Sequence, residues 1–179
     1  ITVSSTSTYK QHTSRYFAKV GGVWNTASEY ITRTNLNGGT TLEQTNTYDA
    51  SSSSYVNSNK SVYDYDANNR FIKRTFSNWD AANSVWKVSF TQKTTYLGNT
   101  NNKDSVINYD ANGAPTSLNV FTYNGQNLEL TSTIYSYDAA TSTYKISSKV
   151  ENTYTGSDLT LAERHIFDVA TNALYMYST

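Results

Sequence analysis

Glu163, Arg164 and His165 form the one compact group of ionisable side chains that includes a histidine. In a β-strand, Glu163 and His165 would share one face while Arg164 takes the other. A carboxylate and an imidazole beside a guanidinium could carry out general acid–base chemistry, for example on a uronic acid polymer. If the ends of the chain meet, Arg15 or His12 could join them. We favour the simpler interpretation, a polar pair satisfied within a strand. Glu163, His165 and Arg15 are the catalytic candidates only if the protein is an enzyme.

The sequence gives little support for metal, thiol or phosphate chemistry. Cysteine is absent, which excludes disulfides, thiolate nucleophiles and zinc–thiolate sites. Two histidines without a His-Glu-x-x-His spacing do not make a zinc site, and there is no phosphate-binding glycine loop or serine nucleophile elbow. Lys plus Arg equals Asp plus Glu at 14 each, so no net field attracts nucleic acid. We therefore expect no resident cofactor and no nucleic-acid partner.

Repeated aspartates are the remaining candidates for metal ligands. Calcium takes about six to eight oxygen ligands, usually several from one loop, whereas each turn here offers one carboxylate. We favour an aspartate that closes its own turn, with calcium binding as the alternative. The aspartates concerned are Asp49, Asp66, Asp80, Asp110, Asp138 and Asp168.

The face that carries the turn aromatics favours a different chemistry. Counting back by twos from Tyr48 gives Asn46 and Gln44, and the same count from Phe17 gives Arg15. Flat aromatic rings cover sugar faces and amides bond to hydroxyls, as in carbohydrate sites. For most of the sixteen tyrosines we favour a cross-strand ladder, and the tryptophans beside the turns are the better candidates for ligand contact. The candidate ligand-binding residues are Trp24, Trp79, Trp86, Gln44, Gln92, Arg15, Glu163 and His165.

The stretch from Trp79 to Trp86, an Asp-containing turn with an aromatic at each edge, is the unit that the chain repeats. Related turns begin at residues 17, 48, 79, 109, 137 and 167, in steps of 31, 31, 30, 28 and 30. A second series of turns lies between them. A fixed period of about 20 to 50 residues indicates a repeat architecture. Each repeat of about 30 residues would be two strands and two turns.

Period-two alternation, as in Trp86, Val88 and Phe90, predicts an all-β antiparallel up-and-down meander of about twelve strands. Because so many strands tend to curl or close, we expect a closed barrel or a strongly curled sheet. Residues 1–8 read as a flexible lead-in and residues 9–179 as a single β-repeat domain. The predicted strands lie near residues 9–17, 24–34, 41–48, 55–65, 70–79, 86–96, 104–109, 116–123, 128–137, 144–154, 159–167 and 174–178.

Turns such as Tyr65-Asp66-Ala67-Asn68-Asn69 and Tyr109-Asp110-Ala111-Asn112-Gly113, together with the Trp79-to-Trp86 unit, resemble the hairpin repeats of secreted surface proteins from Bacteroidetes. More distantly they are similar to the YD repeats of Rhs-type proteins, although the Gly-Arg that commonly follows the Tyr-Asp turn is missing. The resemblance implies secretion and surface display, and it carries no catalytic residues.

Composition agrees with a protein outside the cell. Sixteen Tyr and many Ser, Thr and Asn form a wettable, strand-forming mixture, and a start at Ile1 rather than Met fits a removed secretion signal. No apolar run approaches the roughly 18 residues of a membrane helix, so we expect no membrane insertion. We predict a secreted or cell-surface, non-catalytic module that binds a glycan or another surface polymer. The alternatives are a structural segment of an adhesin or filament that self-associates laterally, and a polysaccharide lyase or hydrolase.

Overall fold

The protein is a sheet of thirteen strands connected in sequence order as an antiparallel meander. The structure, a computed structural model, describes residues 2–6, 8–168 and 173–177. The strands are β1 Thr2–Ser5, β2 Lys10–Val20, β3 Val23–Thr34, β4 Thr40–Asp49, β5 Ser54–Tyr65, β6 Phe71–Asp80, β7 Val85–Tyr96, β8 Lys103–Tyr109, β9 Pro115–Tyr123, β10 Glu129–Asp138, β11 Thr143–Thr155, β12 Asp158–Asp168 and β13 Ala173–Tyr177.

The chain divides into two compact units. Unit 1 comprises residues 1–91 and contains β1 to β6 with the larger part of β7. Unit 2 comprises residues 92–179 and contains the end of β7 with β8 to β13. Each unit is built from the same kind of hairpins, as the period of the sequence requires.

The predicted antiparallel meander is confirmed, but the closed barrel or strongly curled sheet is wrong. The strand order runs from β1 to β13, and among the described residues these two strands are not paired with each other. The prediction relied on the tendency of sheets with many strands to curl or close. The described parts of the edge strands, Thr2–Ser5 and Ala173–Tyr177, each pair along one side only.

β1 is the strand that the sequence interpretation did not anticipate. Thr2–Ser5 pairs with residues 10–13 of β2, inside the segment that reads as a lead-in. A run of Ser and Thr has no apolar alternation, so its pairing is not visible in the sequence. Residues 1 and 7 of that segment, the predicted turn at 169–172 and residue 178 of the last predicted strand lie outside the described residues.

Neither unit has a hydrophobic core in its described part. No apolar side chain there is buried, and the buried residues are all polar: Asn46, Ser61, Ser77, Thr94 and Thr133. Large apolar side chains such as Val23, Leu159 and Leu161 are exposed. The sheet is therefore held by its backbone ladder and by cross-strand side-chain pairs, each worth about 0.2–1 kcal/mol.

Hairpin turns are closed by their own Asp or Asn side chains. The carboxylate of Asp66 accepts from the backbone N–H groups of Asn68 and Arg70, both at 2.9 Å. The carboxylate of Asp110 likewise accepts from the backbone N–H groups two and four residues later in its own turn. Asn35 and Asn124 play this part at equivalent turns. These short side chains replace backbone acceptors that a tight turn cannot supply.

One extra residue near the start of a strand recurs through both units. The pairing of β2 with β3 skips Ala27, and that of β4 with β5 skips Ser58. Where the extra residue is Thr41, Thr116 or Thr160, its hydroxyl donates to a carbonyl of the preceding strand. A β-bulge of this kind bends the strand and moves every later side chain to the other face.

The turn carboxylates predict a specific acid response. Hydrogen bonds from Lys87 and Asn83 lower the pKa of Asp80 to about 2, and a hydrogen bond from Lys145 lowers that of Asp138 to about 2. A depressed pKa stabilises the fold above the usual value of 3.8, and this contribution is lost as the pH falls from there towards 2. We expect Asp80→Asn and Asp138→Asn to lower the melting temperature at pH 7 and to flatten its dependence on pH in this window.

The control is Asp64→Asn, which changes an exposed strand carboxylate that pairs only loosely with Lys73 at 3.5 Å. Thermal melts from pH 7 to pH 2 give the comparison. Parallel curves for wild type and the Asp80 and Asp138 variants would show that these turns do not couple protonation to folding.

Candidate functional site

A network of charged and amide side chains crosses one face of unit 1. Arg15, Glu29 and Asn46 are direct partners on β2, β3 and β4, so their side chains lie on the same face. Arg15 Nε donates to Glu29 Oε1 at 3.1 Å, and Asn46 Nδ2 donates to Glu29 Oε2 at 3.1 Å. Both oxygens of one carboxylate are thus used, and Glu29 is only 12% exposed.

The network continues through Gln44. Its Nε2 donates to Asn46 Oδ1 at 2.8 Å and to Asn57 Oδ1 at 3.0 Å, which links β4 to β5. We call the surface formed by Arg15, Glu29, Gln44, Asn46 and Asn57 the amide face. Each of these amides is fixed by its neighbours, so the face presents preset donors and acceptors.

An open pocket of about 350 Å³ adjoins the amide face within unit 1. Apolar Leu42 and Val62 are direct strand partners within it, and Gln44 joins it to the amide face. Its lining residues are Tyr9, Arg33, Thr41, Leu42, Gln44, Lys60 and Val62.

Two cations stacked on aromatic rings border this pocket. The guanidinium carbon of Arg33 lies 4.9 Å from the centre of the Tyr9 ring, and Arg33 Nε donates to Gln11 Oε1 at 2.8 Å. Lys60 Nζ lies 4.4 Å from the centre of the Trp86 ring. Burial lowers the pKa of Lys60.

The three predicted tryptophans have different surroundings. Trp79 and Trp86 pack edge-to-face with ring centres 5.1 Å apart, and both are half-buried. Trp24 is 66% exposed at the β2–β3 hairpin, where Lys19 lies 6.0 Å from its ring centre. The structure therefore joins Trp86 to the pocket through Lys60, while the contacts of Trp24 are with its own hairpin.

The opposite face of unit 1 holds a carboxylate among tyrosines. Glu43 accepts from the Tyr63 hydroxyl and is hydrogen-bonded to Tyr30. Burial, together with this carboxylate, raises the pKa of Tyr30 to about 12. Arg74 donates to Ser61 Oγ at 3.0 and 3.1 Å and covers the Phe90 ring at 5.2 Å. These residues are hydrogen-bonded to one another or packed on one another's rings, which indicates a structural role.

The remaining predicted residues lie in unit 2. Gln92 Nε2 donates to Asn108 Oδ1 at 3.1 Å. Glu163 is paired with Glu151 in the strand register, and His165 Nε2 lies 3.2 Å from Glu151 Oε2, although the geometry is not that of a hydrogen bond. A hydrogen bond from Lys149 lowers the pKa of Glu151. The carboxylate that accompanies His165 is thus Glu151, while Arg15 is bonded to Glu29 in unit 1.

Three residues that shape the site escape sequence reasoning. Counting by twos from Trp24 does not reach Arg33, because the bulge at Ala27 shifts the alternation by one. The bulge at Ser58 shifts the alternation on β5 in the same way, so the count misses Lys60. Glu29 is missed for the same reason as Arg33, because it also follows the bulge at Ala27. On β2 and β4, where these hairpins skip no residue, the count correctly places Arg15, Gln44 and Asn46 on one face.

The described residues contain no group of three or more His, Cys, Asp or Glu side chains that could hold a metal ion. Five of the six turn aspartates accept from the backbone of their own turns: Asp49, Asp66, Asp80, Asp110 and Asp138. No helix in the described part of the chain has the length and apolarity to cross a bilayer.

Fold and site together define an all-β repeat protein that presents a polar, aromatic-bordered face. Solved structures similar to it include a DUF3836 family protein from Bacteroides vulgatus, at 18% identity over 75% of this chain and 89% of that chain, with a TM-score of 0.28. A protein of unknown function from Bacteroides fragilis matches at 10% identity over 94% and 90% of the two chains, with a TM-score of 0.29. A porin-like protein from Bacteroides uniformis matches at 11% identity over 98% and 90%, with a TM-score of 0.31.

Likeness at this level of identity and TM-score supports no assignment of activity or ligand. No protein-family model matches the sequence, and no curated protein matches it. The resemblance to Tyr-Asp hairpin repeats stays a prediction.

The amide face yields a stability prediction. Glu29→Gln removes the charge that Arg15 and Asn46 share, and we expect it to lower the free energy of unfolding by about 1–2 kcal/mol. The matched control is Glu151→Gln, whose carboxylate is 42% exposed and bonded to Lys149, where we expect a loss of less than about 1 kcal/mol. Urea denaturation measures both, and equal losses would contradict a buried role for Glu29.

Proposed function

We propose that this protein is a non-catalytic binding module, secreted or displayed at the cell surface, that recognises a glycan through the pocket and amide face of unit 1. The observation that carries the proposal is the open pocket that Tyr9 lines, that Trp86 adjoins through Lys60, and that Gln44 joins to a fixed set of amides. Aromatic rings offer flat apolar area to a sugar ring, and fixed amides offer directional bonds to hydroxyls.

The volume of the pocket and the fixed position of Gln44 favour a ligand-binding site over a surface that is only hydrated. A volume of about 350 Å³ falls within the range of small-ligand pockets, about 300–1,000 Å³. Gln44 is held by two hydrogen bonds to neighbouring amides before any ligand arrives. Less side-chain freedom is then lost on binding, which favours affinity.

The composition of the pocket argues for binding without catalysis. No Asp, Glu or His is among its described lining residues. General acid–base hydrolysis of a glycosidic bond requires a pair of such groups across the bond. The lyase or hydrolase alternative would have to use His165 and Glu151 in unit 2, where Lys149 already engages the carboxylate.

A structural repeat segment is the second candidate, and one observation favours it. In the described residues, β1 and β13 each pair along one side only. Such edges can template pairing with another chain. Sedimentation velocity over a wide concentration range separates the candidates, because lateral association gives larger species at higher concentration and a monomeric binding module does not.

The binding proposal predicts a difference between two tyrosines. Tyr9→Ala removes an aromatic wall of the pocket, and we expect at least about a tenfold loss of affinity for whichever soluble polysaccharide the wild type binds. Affinity gel electrophoresis against a panel of polysaccharides measures this. Tyr16→Ala is the matched control, because Tyr16 is 56% exposed and lies on the opposite face of β2.

We expect Tyr16→Ala to migrate as the wild type does. Equal loss in both variants, or unaltered retention of Tyr9→Ala, would mean that the pocket is not the binding site. Far-UV circular dichroism and thermal melting of both variants show whether the sheet is intact.

A further inference from the structure

Two cations of the pocket lack acidic partners. Among the described residues, six other cationic side chains lie within 4.0 Å of a carboxylate: Arg15, Arg70, Lys73, Lys87, Lys145 and Lys149. Arg33 and Lys60 have no such partner there, and both line the same pocket. Of the fourteen Lys and Arg side chains, all within the described residues, eight have no carboxylate of a described residue within 4.0 Å, and Arg33 and Lys60 are the two of these that line the pocket.

Arg33 is held in place by contacts that leave the two terminal nitrogens of its guanidinium available to a ligand. Its guanidinium is stacked on Tyr9 and its Nε is bonded to Gln11. In the part of the chain that the structure describes, its two terminal nitrogens have no acceptor. A guanidinium held in this way can meet the two oxygens of a carboxylate or sulfate with its planar fork.

Lys60 faces the same space from the other side. Arg33 pairs with Leu42, and Gln44 pairs with Lys60, so the two cations stand two strands apart and two residues out of register, about 12 Å between their backbone positions by the spacings of a sheet. Lys60 is half-buried against Trp86, and burial lowers its pKa, as expected for an ammonium that lacks a counter-charge.

The nearest carboxylates cannot neutralise this pair. Glu43 lies between Leu42 and Gln44 in sequence and therefore points to the opposite face, where it is bonded to Tyr30 and Tyr63. Glu29 is on the correct face, but its two oxygens are used by Arg15 and Asn46. An anion from solution would therefore meet no competing carboxylate of a described residue between these two cations.

We propose that this pocket binds an acidic polysaccharide, with a carboxylate or sulfate of the polymer between Arg33 and Lys60 and its sugar rings against Tyr9 and Trp86. This inference rests on the proposed function and names its class of ligand. A single pair of cations between aromatic rings suits one charged sugar in a chain, whereas nucleic acid is met by extended rows of cations.

The experiment uses two pairs of polymers that differ only in charge. Polygalacturonate is compared with its methyl ester, and dextran sulfate with dextran, by isothermal titration calorimetry of the full chain in buffer with EDTA. The variants are Arg33→Gln/Lys60→Gln, the charge-preserving Lys60→Arg, and Lys93→Gln as the matched control. Lys93 lies 5.1 Å from the ring centre of Tyr109 in unit 2, so it repeats the lysine–aromatic pair outside the pocket.

We expect wild type to bind at least one acidic polymer and to bind its neutral counterpart at least about tenfold more weakly. The double variant should lose at least about tenfold in affinity for the acidic polymer, while Lys60→Arg and Lys93→Gln stay close to wild type. Binding should also weaken with added salt. The polymer pair that responds tells whether the recognised group is a carboxylate or a sulfate.

Other outcomes overturn the inference in distinguishable ways. Equal affinity for charged and neutral polymers, or a double variant that melts and binds as the wild type does, removes the acidic ligand but leaves glycan binding. Binding to none of the polymers, and to no neutral polysaccharide of the panel, removes both proposals. A single-stranded oligonucleotide that binds as tightly through the same two residues would replace the polysaccharide by nucleic acid.

Discussion

The constraint on which this structure depends is that its sheet is stabilised without a hydrophobic core in the described residues. Cross-strand pairs and the backbone ladder must then supply what buried apolar area supplies elsewhere. A buried amide without a partner would cost about 1–3 kcal/mol, so residues such as Asn46 are tolerable only inside a closed network. The hydrogen bonds that Arg15 and Asn46 donate to the Glu29 carboxylate meet that condition. The feature that stabilises the face also makes it rigid and polar, which are properties of a binding surface.

Periodicity and turn chemistry are the parts of the fold that the sequence makes readable. Asp80 with Asn83, and Asp138 with Lys145, form turns at the predicted positions, and twelve of the thirteen strands lie near their predicted ranges. The open strand order was not readable, because the length of a meander does not reveal whether its ends meet. β1 was hidden for a related reason, since a Ser and Thr run pairs through its backbone alone.

The candidate site was predictable on strands in which alternation is unbroken and not beyond a bulge. Arg15 and Gln44 fall on the amide face as counting by twos requires, whereas Arg33 and Lys60 reach it only because Ala27 and Ser58 are skipped in the pairing. A bulge leaves little trace in a sequence already rich in Ser and Thr. The resulting site combines rings, amides and two cations, and this combination is the basis of the proposed recognition of a glycan.

The most direct test of this account is a two-dimensional ¹H–¹⁵N NMR titration that observes side-chain amides and indoles while polygalacturonate oligosaccharides or dextran sulfate oligosaccharides are added. The account predicts that the side-chain amide signals of Gln44 and the indole signal of Trp86 shift in a saturable manner with one of the two. The indole signal of Trp24, outside the pocket, should stay in place. Saturable shifts confined to Trp24 or to residues of unit 2, or none at all, would contradict the claim that the pocket and amide face of unit 1 form the binding site.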